Sequence, residues 1–120
     1  MSPRNIFLIT FTSIFLLVAC TKKEPAYIPT EKIDPYSVYK TAYDAFEKGD
    51  YFFASKKFFE AELNFTVLEL SAKAAIMGSY SLYGINFFEE ALTNLDRFLK
   101  KYPADKNVVY AHYLIAVIYY

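Results

Sequence analysis

The chain has 120 residues, 55% of them hydrophobic and 22% charged, with 12 Tyr, 12 Phe and no Trp. That length holds one small domain, and the composition excludes a disordered chain, so a packed core is expected. Thirteen Lys and Arg balance thirteen Asp and Glu, which leaves no basic footprint for nucleic acid. The single cysteine, Cys20, excludes an internal disulfide or a cysteine-built metal cluster within the chain, and the single histidine, His112, cannot supply a His-rich one.

Residues 1–19 read as a secretory signal. Arg4 lies in a short polar start, and an apolar run from Ile6 to Ala19 follows, broken only by Thr10, Thr12 and Ser13. The run is shorter than the roughly 20 residues a spanning helix needs. It ends Leu17-Val18-Ala19-Cys20, which resembles the lipobox of bacterial lipoproteins. That resemblance implies a diacylglycerol on the Cys20 thiol, cleavage beside the small Ala19, and an N-acyl chain on the freed amine. It implies no other cofactor. Several acyl chains anchor stably, since each buried CH₂ contributes about 0.8 kcal/mol. Thr21 stands where an Asp resembles an inner-membrane retention signal in enteric bacteria, which favours the periplasmic face of the outer membrane. Residues 20–33, with Pro25, Pro29 and little periodicity, read as the lipidated cysteine and a tether.

From residue 34 to 120 the pattern is helical. Asp34-Pro35 pairs an N-cap residue with proline at the first helical position, and Gly49 supplies a stop. Asp50 caps a second helix, with Tyr51, Ala54, Phe58, Ala61 and Phe65 at steps of three and four. Thr66-Val67-Leu68-Glu69 has the spacing of a capping box, and Asn86-Phe87-Phe88-Glu89 a similar one. The helix between them is expected to bury Ala72, Ala75, Ile76, Ser79, Leu82 and Tyr83 and to stop at Gly84. The next places Phe88, Ala91, Leu92, Leu95, Phe98, Leu99 and Tyr102 on one face, with Glu89 and Glu90 in its first turn and Lys100 and Lys101 in its last, as the helix dipole favours. Pro103 ends it, and a fifth helix runs from about Val108 to Tyr120. Short loops make neighbouring helices antiparallel hairpins.

The segments Gly49-Asp50-Tyr51-Phe52-Phe53-Ala54 and Asn86-Phe87-Phe88-Glu89-Glu90-Ala91 are related, at a spacing of 86 − 49 = 37. This is similar to the tetratricopeptide pattern, whose period is about 34 residues. Small Ala42 and Ser79 fall at the close-contact position of each first helix. Val38 and Ala75 stand where that pattern usually has Trp, and Thr66 replaces the first closing Pro. The expected fold class is all-α, tetratricopeptide-like hairpins in a right-handed superhelical solenoid.

A narrower resemblance rests on Asp96-Arg97-Phe98-Leu99-Lys100-Lys101-Tyr102-Pro103, then Tyr110-Ala111-His112-Tyr113-Leu114-Ile115-Ala116 and Tyr119-Tyr120, taken with the lipobox and tether. Over roughly Tyr36 to Tyr120 the chain resembles the BamD family, lipoproteins of the β-barrel assembly machinery. Family members resemble five repeats, about twice this length. The chain stops inside the first helix of a third repeat, where a solenoid end would need a polar cap, so it reads as a truncated product or a fragment.

The resemblance assigns the second, fifth, ninth and twelfth residues of each first helix to a concave binding face. These are Tyr36, Tyr39, Tyr43 and Phe46, then Lys73, Ile76, Tyr80 and Tyr83, then Asn107, Tyr110 and Leu114. It implies a groove of Tyr36, Tyr39, Tyr43, Tyr80 and Tyr110 that receives unfolded outer-membrane proteins through an aromatic-ended C-terminal strand. It also implies docking of a barrel-forming subunit and other assembly lipoproteins by the full-length protein. A Tyr stripe at helical spacing equally fits core packing, with Phe46 and Tyr83 the foremost candidates. Phe52, Phe53 and Phe59 lie off the main apolar face of their helix and either pack between hairpins, the favoured expectation, or form an exposed patch for a partner. His112 has no Ser, Asp or Glu at a useful spacing, and adjacent Glu89 and Glu90 point to different sides of a helix, so no enzyme chemistry is expected. The alternatives are a periplasmic repeat lipoprotein organising envelope or cell-wall complexes, and the accessory arm of an enzyme whose catalytic domain lies elsewhere.

Overall fold

The computed structural model describes residue 3 and residues 32–120; Cys20, the signal and most of the tether lie outside the described residues. Residues 32–120 form one compact unit of five helices: α1 (Pro35–Glu47), α2 (Tyr51–Asn64), α3 (Leu68–Gly84), α4 (Phe88–Lys101) and α5 (Val108–Tyr119). There is no strand among the described residues. Each helix packs on its successor, and α3 also touches α5. The result is the all-α, tetratricopeptide-like stack that the repeat spacing predicts: hairpin α1–α2, hairpin α3–α4, then α5.

The first turn follows the sequence closely. Asp34 accepts hydrogen bonds from the backbone N–H of Tyr36 and Ser37 (3.1 and 3.2 Å), with Pro35 at the first helical position. At the other end, Gly49 has φ +80°, its N–H donates to Phe46 O, and the Asp50 N–H donates to Ala45 O (both 3.0 Å). This pair of bonds closes the last carbonyls of α1 in a Schellman motif. Asp50 then caps α2 by accepting from the Phe53 N–H (3.2 Å).

The second hairpin makes the same turn with different residues. Asn86 takes the left-handed conformation, φ 61°. Its N–H donates to Tyr83 O, and the Phe87 N–H donates to Leu82 O (both 3.0 Å). Asn86 is therefore the counterpart of Gly49 and terminates α3; it is not the N-cap of α4. Phe87 holds that position without a side-chain cap. The Thr66–Glu69 capping box is likewise overturned. Helix α3 begins at Leu68 with Val67 as its uncapped N-cap, so Thr66 lies one residue too early, and Glu69 is drawn to Lys106 (2.6 Å). The Ser71 hydroxyl ties this turn instead, donating to Phe65 O and Val67 O (3.3 Å each).

Two apolar clusters hold the stack. Ala42, Ala54 and Phe58 are sealed between α1 and α2, with Tyr39, Phe46 and Met77 around them. Ala72, Ala75, Ile76, Leu95, Phe98, Tyr102, Ala111 and Leu114 join α3, α4 and α5. Burial of each Phe contributes roughly 1.5–3 kcal/mol, and the alanines let the helix axes approach. Helix α3 is buried on several sides, Ala74, Gly78 and Ser81 included, because it has neighbours in both hairpins. Ser79 and Ser81 satisfy their hydroxyls on Ala75 O and Met77 O within the helix (3.0 and 2.8 Å).

Candidate partner-binding groove

The first helices α1, α3 and α5 share one face, and a cavity of about 490 Å³ opens there. Tyr43, Phe46, Lys73, Ile76, Met77, Tyr80, Asn107 and Tyr110 line it. Heptad-like spacing brings them together: Tyr43 and Phe46 from the last turns of α1, Ile76 and Tyr80 one turn apart on α3, and Tyr110 from the first turn of α5. The rings make a continuous aromatic run. Tyr43 lies 6.4 Å from Phe46, Phe46 5.8 Å from Tyr80, and Tyr80 6.5 Å from Tyr110, between centroids. These are offset or tilted pairs, the geometry that ring quadrupoles favour.

Of the five tyrosines assigned to the groove, three line the cavity: Tyr43, Tyr80 and Tyr110. Tyr39 is half-buried, edge-on to Phe58 at 5.2 Å, with the Lys73 ammonium 5.6 Å from its ring centroid. Tyr36, exposed on the first turn of α1, sits edge-on to Phe65 at 5.2 Å. Both lie toward the start of α1, beyond the cavity. Phe46 and Tyr83 are half-buried against the two clusters, so Phe46 both packs and lines the cavity.

Electrostatically the groove is nearly neutral. The Tyr43 hydroxyl is pushed up by Glu47, as hydrogen-bond partner and as a nearby charge. Burial, then the neighbouring tyrosines, pushes Tyr110 up. Both phenols therefore stay protonated at neutral pH; the Tyr43 O–H is turned to Glu47, and Tyr110 can offer its own to a backbone carbonyl. Lys73 is the cation on this wall.

Behind the groove lies a feature that the helical pattern alone does not reveal. Glu62 of α2, only 3% exposed, accepts a two-point bond from Arg97 of α4 (2.6 and 2.8 Å), a bond from the Tyr102 hydroxyl (2.8 Å) and one from Lys101 (3.1 Å). Burial by itself pushes this carboxyl up. The hydrogen bonds from Arg97, Tyr102 and Lys101 outweigh it, and the pKa falls below the ordinary 4.5. The cluster clasps the first hairpin to the second. Its sequence signal was an acidic residue in the interior stripe of α2, one position beyond Ala61.

Phe59 packs as expected, against Gly78 of α3. Phe52 and Phe53 do not. They are exposed at the start of α2, Phe52 against Phe87 with centroids 6.2 Å apart, because the side of this turn that meets α3 is taken by Tyr51, whose ring lies against Gly84. His112 is exposed on α5. Among the described residues, no three His, Cys, Asp or Glu side chains are placed to hold a metal, and no helix is long and apolar enough to cross a membrane.

Stacked hairpins presenting one aromatic face define a helical-repeat scaffold. Residues 31–120 match the YfiO family, described as outer membrane lipoproteins, and the chain belongs to that family. It is 32% identical over 83 residues to the outer membrane protein assembly factor BamD of Caulobacter vibrioides, covering 69% of this chain and 27% of that protein. To the BamD of Rickettsia prowazekii it is 38% identical over 52 residues (43% and 21%), and to that of Xylella fastidiosa 24% identical over 117 residues (94% and 38%). The chain thus spans roughly a fifth to two fifths of the length of these relatives. No solved structure matches it.

Proposed function

We propose that this chain is a non-catalytic scaffold of the machinery that assembles β-barrel proteins into the outer membrane. Acylated Cys20 anchors it at the periplasmic face, and the groove between α1, α3 and α5 receives an extended segment of an unfolded outer-membrane protein. The observation that carries this reading is the run Tyr43–Phe46–Tyr80–Tyr110 around an open cavity, in a chain whose relatives are named as outer membrane protein assembly factors. Tyrosines give a large contact area for little entropy, and their polar tips can meet the unpaired backbone of an extended strand. On the same reading, a barrel-forming subunit and further assembly lipoproteins are partners of the full-length protein.

The test is titration of the acylated protein with a synthetic peptide copying the aromatic-ended C-terminal strand of an outer-membrane β-barrel protein. Tyr43 and Tyr110 are the residues to change, because both are exposed and their truncation leaves the core intact. The double variant Tyr43→Ala with Tyr110→Ala is expected to bind roughly tenfold more weakly or worse, with unchanged helicity. Unaltered affinity would rule out the groove as the receptor. Co-purification with cell-wall enzymes in place of barrel-assembly subunits would move the protein to a different envelope scaffold.

A further inference from the structure

The edge of the stack where the chain comes in from the tether is apolar in an unusual way. Loops and helix ends are normally polar, yet Ile33 (41% exposed), Leu63 (78%), Val67 (49%) and Leu68 (67%) are all solvent-facing aliphatics here. They lie together. Ile33 shares a cleft with Thr66 and Asn64 of the α2–α3 turn, and Leu68 shares the next one with Pro103 and Ala104 of the α4–α5 turn. The edge therefore carries an aliphatic ridge running from the first hairpin to the second.

We propose that this ridge rests on the lipid leaflet that holds the anchor and fixes the orientation of the domain over the membrane. This rests on the lipoprotein reading of Cys20. The chain argues for lipid as the occupant. Lys32 lies only twelve steps along the chain from Cys20 (32 − 20), a reach of at most about 43 Å at full extension. The ridge stands at the near end of that leash, whereas the Phe52–Phe87 edge lies one helix further away, about 20 Å. The charge pattern also suits a headgroup layer. The described carboxylates of this edge are already engaged: Asp34 by the N–H groups of Tyr36 and Ser37, Glu69 by Lys106, Asp105 by Asn107. Glu69 meets the leaflet ion-paired, Asp34 and Asp105 keep their charge beneath N–H donors, and Lys32, which lines the Ile33 cleft, can extend its ammonium toward phosphates. The acyl chains supply the affinity; the ridge supplies the angle.

Because the anchor consumes the sole native cysteine, one introduced thiol is unique. Spin-labelled Leu68→Cys and Phe52→Cys variants of the acylated full chain would be reconstituted in phosphatidylethanolamine–phosphatidylglycerol vesicles. Collision with oxygen, which concentrates in lipid, and with a water-soluble nickel chelate would then be measured. At position 68 oxygen collisions are expected to exceed nickel collisions several-fold, and at position 52 the order is expected to reverse. Labels equally open to nickel on floating vesicles overturn the ridge contact and leave the anchor standing. Protein that fails to float overturns the anchor and the ridge with it. In a further variant, Val67→Asp with Leu68→Asp, a label at Ile33→Cys is expected to move into water while flotation persists; a label that stays in lipid overturns the proposal.

Discussion

Glu62 and Arg97 stand 35 residues apart in the chain and meet as a two-point fork, each guanidinium nitrogen on its own carboxylate oxygen at 2.6 and 2.8 Å. One helix separates their own helices in sequence, so the pair joins the two hairpins through side chains across the flank of α3. Removing one partner of a buried pair leaves the other uncompensated. Arg97 retains some contact with water, which softens that cost. Glu62→Ala is expected to lower stability by about 2–4 kcal/mol, read as a shifted urea midpoint.

The same carboxylate makes stability depend on acid. Its folded pKa lies below the ordinary value of 4.5, through the donors Arg97, Tyr102 and Lys101 acting against burial. A depressed carboxyl pKa contributes stability that is complete above the unfolded value and disappears as pH falls through the folded one. The urea midpoint is therefore expected to hold from pH 7 to about 5 and to drop below 4.5. In Glu62→Gln this part of the acid loss should be missing. A wild-type profile parallel to that of the variant would refute the assignment.

The equivalence of Gly49 and Asn86 gives a paired prediction. Both residues sit in the left-handed region, which costs an ordinary L-residue roughly 1–2 kcal/mol. No atom lies near a Cβ added at Gly49, so Gly49→Ala would report that backbone strain without a clash, as a loss of about 1 kcal/mol. Asn86→Gly is expected to be neutral or to raise the melting temperature, since Gly relieves the strain and Phe87, not Asn86, stands at the N-cap. A large loss in Asn86→Gly would mean that the asparagine side chain has a further partner.

Gly78→Ala tests the seat of Phe59. A Cβ there would lie 2.6–3.0 Å from three carbons of the Phe59 ring, closer than carbon atoms approach. Although Ala is the better helix former by about 1 kcal/mol, the overpacking, typically 1–3 kcal/mol, is expected to prevail. Combining it with Phe59→Leu should recover part of the loss in thermal melts.

Sequence and structure agree where signals are local. Asp34-Pro35, Gly49 and Asp50 each act through neighbours within five residues, and the 37-residue spacing shows correctly which residues make equivalent turns. The two capping boxes failed by one residue each. Thr66 and Asn86 have the right chemistry, but Asn86 is taken up in closing α3, and Ser71 binds the turn that Thr66 was expected to cap. For the groove, the periodicity of α1 cannot tell Tyr43 from Tyr39: the two are one turn apart, and only the fit against Phe58 and Phe65 turns Tyr39 into packing. For the Glu62 clasp only the acidic residue beside Ala61 is visible in sequence; its partners are not, since the donors lie 35 to 40 residues away and no sequence period links them.

Gly78 carries one more consequence. Two residues along a helix is a turn of about 200°, so Gly78 points away from Ile76 and Tyr80, which line the groove on the other side of α3. A hydrogen atom in place of a methyl lets Phe59 press into the back of this helix. The α3 wall that carries Ile76 and Tyr80 is thus seated from the rear of the stack. Substitutions at positions 59 and 78 would therefore shift a wall of the cavity without changing any residue that lines it.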